Sequence, residues 1–193
     1  MARIKKRKES RLAIAVLGEG ITERAYFKSL KKHKKLSFKF KPEIPKHSDI
    51  NNIVDKAKDL STVYDMVFCI IDLDRILANK KEKNLYYRLK AQNKQINFIE
   101  HNPCFEIWLL LHFEYSSREY LSCNQLIKYL KKYVSDYQKS DNYLEKKDLY
   151  FYLQDKLTIA YTHALRLRKE SCQSKCDMYK LIDVFEKINK NNL

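Results

Sequence analysis

The chain holds only two glycines and three prolines among its 193 residues, and neither type occurs after Pro103. That scarcity excludes a Gly/Pro-rich linker between independent domains, so the second half reads as continuous with the first. Apolar runs are short as well. None approaches the roughly 18–20 residues that a membrane-spanning helix needs, and no apolar segment follows the charged N-terminus as a secretory leader would require. A cytoplasmic protein with no membrane partner is expected. Five cysteines, Cys69, Cys104, Cys123, Cys172 and Cys176, are an odd number without framework spacing, and reduced thiols follow as the expectation. Acids are the minority charge, 24 against 39 Lys and Arg, for a net +15. The excess is concentrated: residues 1–60 carry 17 basic and 7 acidic side chains. This first third is a candidate polyanion footprint, with Lys5, Lys6, Arg7 and Lys8 in a basic arm over residues 1–10, Arg11 beside it and Arg24 further on.

The two glycines, Gly18 and Gly20, flank one carboxylate, Glu19. Upstream, residues 12–17 form an apolar run of strand length, and downstream Thr22 opens a segment of helical spacing that ends near His33. Glycine in such a turn permits positive φ and close backbone approach, and the N–H groups opening the helix favour negative charge. Leu36–Lys41 alternates as an edge strand stopped by Pro42 and Pro45, and a helix capped by Ser48 or Asp49 runs to Leu60. Met66–Ile71 is a continuous apolar strand ending in Asp72-Leu73-Asp74. A loop with Arg75 and Lys80-Lys81, a helix near 84–93 and a strand at 96–99 follow. Asn102-Pro103 reads as the N-cap and first position of a deeply buried helix. Beyond Ser116 the pattern is helical only. The fold expected is α/β, with a four-stranded, mainly parallel sheet of order 2-1-3-4 between helices over residues 11–115 and a helical region over 116–193 packed on it.

In a parallel sheet the strand C-termini share one edge, so Glu19 with Glu23, Asp72 with Asp74, and Glu106 can converge there. Clustered carboxylates repel unless a cation neutralises them, and an all-oxygen set without a His pair fits Mg²⁺ or Mn²⁺ rather than Zn²⁺. Two other constellations are incomplete. His101 with Cys104 has its thiol at the start of a buried helix, and Cys172 with Cys176 and a distant His163 does not fill a tetrahedral site.

Three segments carry a family resemblance: Gly18-Glu19-Gly20-Ile21-Thr22-Glu23 with Tyr26-Phe27, residues 68–74 ending in Asp72-Leu73-Asp74, and the run from Asn102 to Phe113 that contains Glu106 and Trp108. In their order and spacing they resemble the RloB-like family of bacterial proteins. The resemblance implies a Toprim-like (Rossmann-like) fold and a place in abortive-infection or other phage defence beside an AAA-type ATPase. By the Toprim pattern Glu19 matches the glutamate that moves a proton, and it is expected at the metal beside Asp72 and Asp74, which match the Mg²⁺-binding pair; Glu23 and Glu106 match RloB-like positions and are expected as supporting acids. The chain departs from the broader pattern in having Arg75 after Asp74. The function expected is a metal-dependent nuclease acting on DNA or RNA, including tRNA, with Arg75 joining the nucleic-acid contacts and room left for a homodimer. The alternative is a non-catalytic nucleic-acid-binding or regulatory partner of the ATPase.

Overall fold

A computed structural model describes residues 12–36, 38–43 and 49–191. Five strands form one sheet of order β2-β1-β3-β4-β5. β1 (Ala13–Leu17), β2 (Lys39–Glu43), β3 (Met66–Asp72) and β4 (Ile96–Asn102) are parallel, and β5 (Lys175–Cys176) pairs antiparallel with the end of β4. The order of the first four strands is the one expected. The count is not, because β5 adds a fifth: a two-residue strand carries too little alternation to register as one.

Alternation along the strands sorts the core into two layers. Ile14, Val16, Phe68, Ile70 and Ile99 point to one face with α1 (Ile21–His33) and the long α10 (Met178–Asn191), while Ala15, Leu17, Val67, Cys69 and Ile71 point to the other with α2 (Ile50–Ser61). α3 (Leu73–Ala78) and α4 (Lys80–Gln92) complete that second layer. Asp49 caps α2 by accepting the Asn52 N–H, and Asn79 caps α4, so Lys80 and Lys81 are helical rather than in a loop.

The first layer is closed by α5 (Glu106–Leu111), α6 (Cys123–Leu130), α7 (Asp141–Lys147), α8 (Leu149–Leu153) and α9 (Leu157–Leu167). α1 packs on α7 and α8, and α5 packs on α6 and α9, in one continuous core. Asp148, the residue between α7 and α8, has a left-handed backbone with φ 48° and gathers Ser29, Lys32 and His33 of α1 around its carboxylate. Polar contacts thus add to the apolar seam between α1 and the C-terminal helices.

Two boundaries correct the sequence reading. Pro42 lies inside β2, where an edge position leaves its missing N–H without consequence; Pro45 and Ser48 lie outside the described residues. Asn102 is no helix cap. It ends β4, precedes Pro103 through a cis peptide bond, and donates from its side chain to the Gln173 carbonyl at 2.6 Å. The strand runs three residues past its expected end, with His101 and Asn102 paired to β5, so the helix opens only at Glu106.

Candidate functional site

Leu17 of β1 pairs with Cys69 of β3, which brings Glu19, two residues on, level with Ile71 at the sheet edge. β3 ends one residue later at Asp72, and Asp74 sits in the first turn of α3 with its N–H on the Pro103 carbonyl at 3.1 Å. The glycines serve this corner by their size. Neither has positive φ, but a Cβ at Gly18 would stand 2.7 Å from Glu23 Cβ and one at Gly20 would stand 2.9 Å from Glu23 Oε2. Only a bare backbone lets the first turn of α1 fold Glu23 inward.

Glu23 is 1% exposed, and neither of its carboxylate oxygens has a partner among the described residues. Its neighbour is Glu106, fully buried at the start of α5, whose Oε1 accepts from Thr22 Oγ1 and from the Tyr137 hydroxyl, each at 2.9 Å. Lys139 Nζ lies 3.0 Å from the same oxygen. Asp72 reaches the group from β3 and accepts the Phe105 N–H on Oδ1 at 2.9 Å. Glu19 also has a buried oxygen, Oε1, without a partner.

Crowding acids in one pocket resists the ionisation of Glu19, Glu23 and Asp72. Burial lifts the Glu19 carboxyl to about 8; Glu23 and Asp74 add to the rise, while Arg75 and the Asp72 N–H oppose it. Burial lifts Glu23 to about 7, with Glu106 adding repulsion while Lys139 and the nearby N–H groups of Glu23 and Gly20 oppose it. Asp72 rises well above the carboxylate range through burial and the charges of Glu23, Glu19 and Glu106. Lys139 is pushed down by burial, but the attraction of Glu106, Glu23 and Asp72 wins and holds it above its ordinary value. Glu23 and Asp72 thus sit among the charges of Glu106 and Lys139, and Glu19 acts on Asp72.

A family model described as RloB-like protein matches residues 14–185. The chain belongs to the RloB-like family. Curated proteins and solved structures gave no match.

The described residues of this RloB-like chain do not make a closed carboxylate cage. The one group of three His, Cys, Asp or Glu side chains whose ligand atoms lie within 4.8 Å of one another is Cys104, Glu106 and Cys123, and its two sulfurs are bonded to each other. That disulfide corrects the expectation of reduced thiols for this pair; Cys69, Cys172 and Cys176 are free. It also removes the Cys104–His101 pair as a nucleophile, and burial holds His101 neutral by lowering it to about 3. Cys176 lies in β5 and His163 binds the Leu111 carbonyl, so Cys172, Cys176 and His163 form no ligand group. A Mg²⁺ ion needs no cage, since it keeps several waters and takes one or two carboxylates directly. The unpartnered oxygens of Glu19 and Glu23 and the second oxygen of Asp72 fit that demand.

Of the basic residues singled out, Lys5, Lys6, Arg7, Lys8 and Arg11 lie outside the described residues. Arg24 pairs with Asp141 of α7. Arg75 is exposed on α3, with Nε 3.7 Å from Glu82 and its charge acting on Glu19. Sequence reasoning missed Thr22, Tyr137 and Lys139. Thr22 stands inside a quoted motif and had a signal; Tyr137 and Lys139 come from the irregular stretch between α6 and α7, where no periodicity marks them.

Proposed function

We propose that this RloB-like protein is a Mg²⁺-dependent nuclease with a Toprim-type arrangement, acting in bacterial phage defence with an AAA-type ATPase. What supports the reading above all is Glu23, a buried carboxylate with both oxygens unpartnered beside Glu19 and Asp72 at the edge of a parallel sheet. Burying such a group costs several kcal/mol unless a proton or a cation compensates. Its place agrees with the chemistry. Strand order β2-β1-β3 puts the turns after β1 and β3 side by side, where connections leave for opposite faces and ligands collect in α/β sheets.

Asp72 and Asp74 would hold the metal through the oxygens their backbone contacts leave free, since Asp72 Oδ1 accepts from Phe105 and Asp74 Oδ1 accepts from Arg75. A divalent cation there supplies charge neutralisation at a phosphate and an activated water. Glu19, with its carboxyl near 8, is poised to take and return a proton at neutral pH. The basic N-terminal third and Arg75 would hold the phosphate backbone.

Purified wild type, Glu19→Gln and Asp72→Asn, supplied with Mg²⁺ or Mn²⁺ and assayed on DNA and RNA with and without the ATPase, test the reading. Both substitutions should abolish cleavage and leave the fold intact. Undiminished cutting by Glu19→Gln would sink it, and salt-sensitive binding without cutting under every condition favours the non-catalytic alternative.

A further inference from the structure

The Cys104–Cys123 disulfide has no part in the reaction proposed above, yet both of its ends touch the carboxylate pocket. Cys104 is 1% exposed. It precedes Phe105, whose N–H holds Asp72 Oδ1 at 2.9 Å, and its own carbonyl receives the Ile107 N–H at 3.0 Å as α5 opens. Cys123, the first residue of α6, is only partly buried. Its Sγ lies 3.3 Å from Glu106 Oε2 and 3.8 Å from Lys139 Nζ. A disulfide sulfur carries no proton and cannot donate to Glu106, whereas a thiol in the same place can. The bond between these two sulfurs therefore decides both whether the segment before α5 is tied to α6 and how many donors Glu106 meets.

We propose that Cys104–Cys123 is a thiol–disulfide exchange site for a dithiol reductant, and that its redox state sets the geometry of the Asp72 and Glu106 carboxylates. One thiolate of the reductant attacks Cys123 Sγ, the sulfur of the less buried cysteine. The S–S bond breaks, its electron pair goes to Cys104 Sγ, and that sulfur takes a proton. The reductant's second thiolate then attacks the reductant's own sulfur in the mixed disulfide. Cys123 leaves as a thiolate facing the Lys139 ammonium and is then protonated from water. Two electrons and two protons end on the two cysteines, and the dithiol becomes a disulfide.

Reduction has two consequences. Loss of the covalent tie loosens residues 103–106, and with them the Phe105 N–H that positions Asp72. The new Cys123 S–H also competes with Lys139, 3.3 Å from the same Glu106 oxygen. The oxidised form is thus the better ordered one at the carboxylates. That this order favours a metal rests on the nuclease reading; the loosening at Phe105 does not.

The test uses the full chain, oxidised in air or reduced with excess dithiothreitol, beside Cys123→Ser. Alkylation after denaturation should label the three free cysteines in the oxidised protein and all five after reduction. Hydrogen exchange at the Phe105 amide should quicken by about tenfold or more on reduction, and Cys123→Ser should show the fast rate with or without dithiothreitol. Mn²⁺ titration should give severalfold weaker binding in those same two forms. Five labelled cysteines in the oxidised protein, or still only three after dithiothreitol, overturns the exchange site, and Phe105 exchange that ignores dithiothreitol overturns its hold on residues 103–106. Equal Mn²⁺ affinity in both forms overturns its coupling to the carboxylates. Faster exchange with no Mn²⁺ binding in either form supports the exchange site and overturns the metal reading instead.

Discussion

Replacing Glu23 by glutamine keeps the side chain's volume and removes one charge from a carboxylate whose two oxygens are buried and unpartnered. The folded protein lifts this carboxyl from 4.5 to about 7. At a cost of about 1.36 kcal/mol per pH unit, that gap is on the order of 3 kcal/mol. The sign follows from which state holds the proton. Below pH 4.5 both states are protonated and the charge plays no part; between 4.5 and about 7 the unfolded chain ionises first, so stability falls as pH rises; above about 7 the whole penalty is present. Glutamine has no such penalty. Its amide donors carry a cost of their own, but a pH-independent one, so the difference between two pH values isolates the charge. In urea unfolding of the metal-free protein, Glu23→Gln should gain on the order of 3 kcal/mol relative to wild type between pH 4.5 and pH 8. In a thermal scan this corresponds to roughly 6–12 °C for a chain of this size. Millimolar Mg²⁺ at pH 8 should then raise the wild type more than the variant, because the cation stabilises only a carboxylate that is there. A stability difference that stays constant across this pH range would refute the claim that Glu23 is buried against its own charge.

Lys139→Met should cost about 3–5 kcal/mol in urea unfolding by leaving Glu106 buried without its cation, and adding Glu106→Gln should recover most of the loss. Glu100 has the opposite behaviour to Glu23: burial pushes it up, but Lys175, Lys90 and Tyr86 outweigh burial and hold it near 2. Its stabilisation is present above pH 4.5 and is lost as pH falls toward 2, so the roughly 1–3 kcal/mol cost of Lys175→Met should shrink over that range in acid titrations. Gly18→Ala, whose Cβ meets Glu23 Cβ at 2.7 Å, should lower the melting temperature more than Gly20→Ala, whose Cβ meets the far end of the Glu23 side chain; equal effects would remove the steric account of the turn. Mg²⁺ binding at pH 7 should release protons from Glu19 and Glu23, measured by calorimetry in buffers of different ionisation enthalpy, and an affinity that does not climb between pH 6 and 8 would contradict the raised carboxyls.

The parts of this site that could be read in advance are those that obey a period. Val16, Phe68 and Ile70 alternate with Leu17, Val67 and Cys69 across a two-faced sheet, so strand order and the position of Glu19 beside Asp72 followed from hydrophobic pattern and crossover rules. The role of Gly18 and Gly20 was placed correctly but for the wrong reason, since close packing of Glu23 and not positive φ requires them. Tyr137 and Lys139 were invisible because the segment bearing them follows no helical or strand period, and only the packing of α7 and α8 on α1 brings it back over Glu106. β5 and the Cys104–Cys123 bridge were hidden for a related reason. Each joins residues far apart in sequence through contacts too few to imprint a pattern on either partner.

The two buried glutamates of the pocket divide one electrostatic problem between them. Glu106 meets Thr22, Tyr137 and Lys139, so its oxygens are satisfied by the chain itself and it fixes where α1, α5 and the α6–α7 segment meet. Glu23, close enough to feel the Glu106 charge, has no side-chain donor among the described residues. If the pocket served only to hold these elements together, a second apolar or hydrogen-bonded residue at position 23 would do so at lower cost, since an uncompensated buried carboxylate is among the more destabilising groups a fold can hold. Lys139 offsets part of that cost through space, but its ammonium is bonded to Glu106 and not to Glu23. The same pocket thus contains one acid that the protein neutralises by its own structure and three, Glu19, Glu23 and Asp72, that it leaves to a proton. On the nuclease reading proposed above, a divalent ion would take the place of those protons.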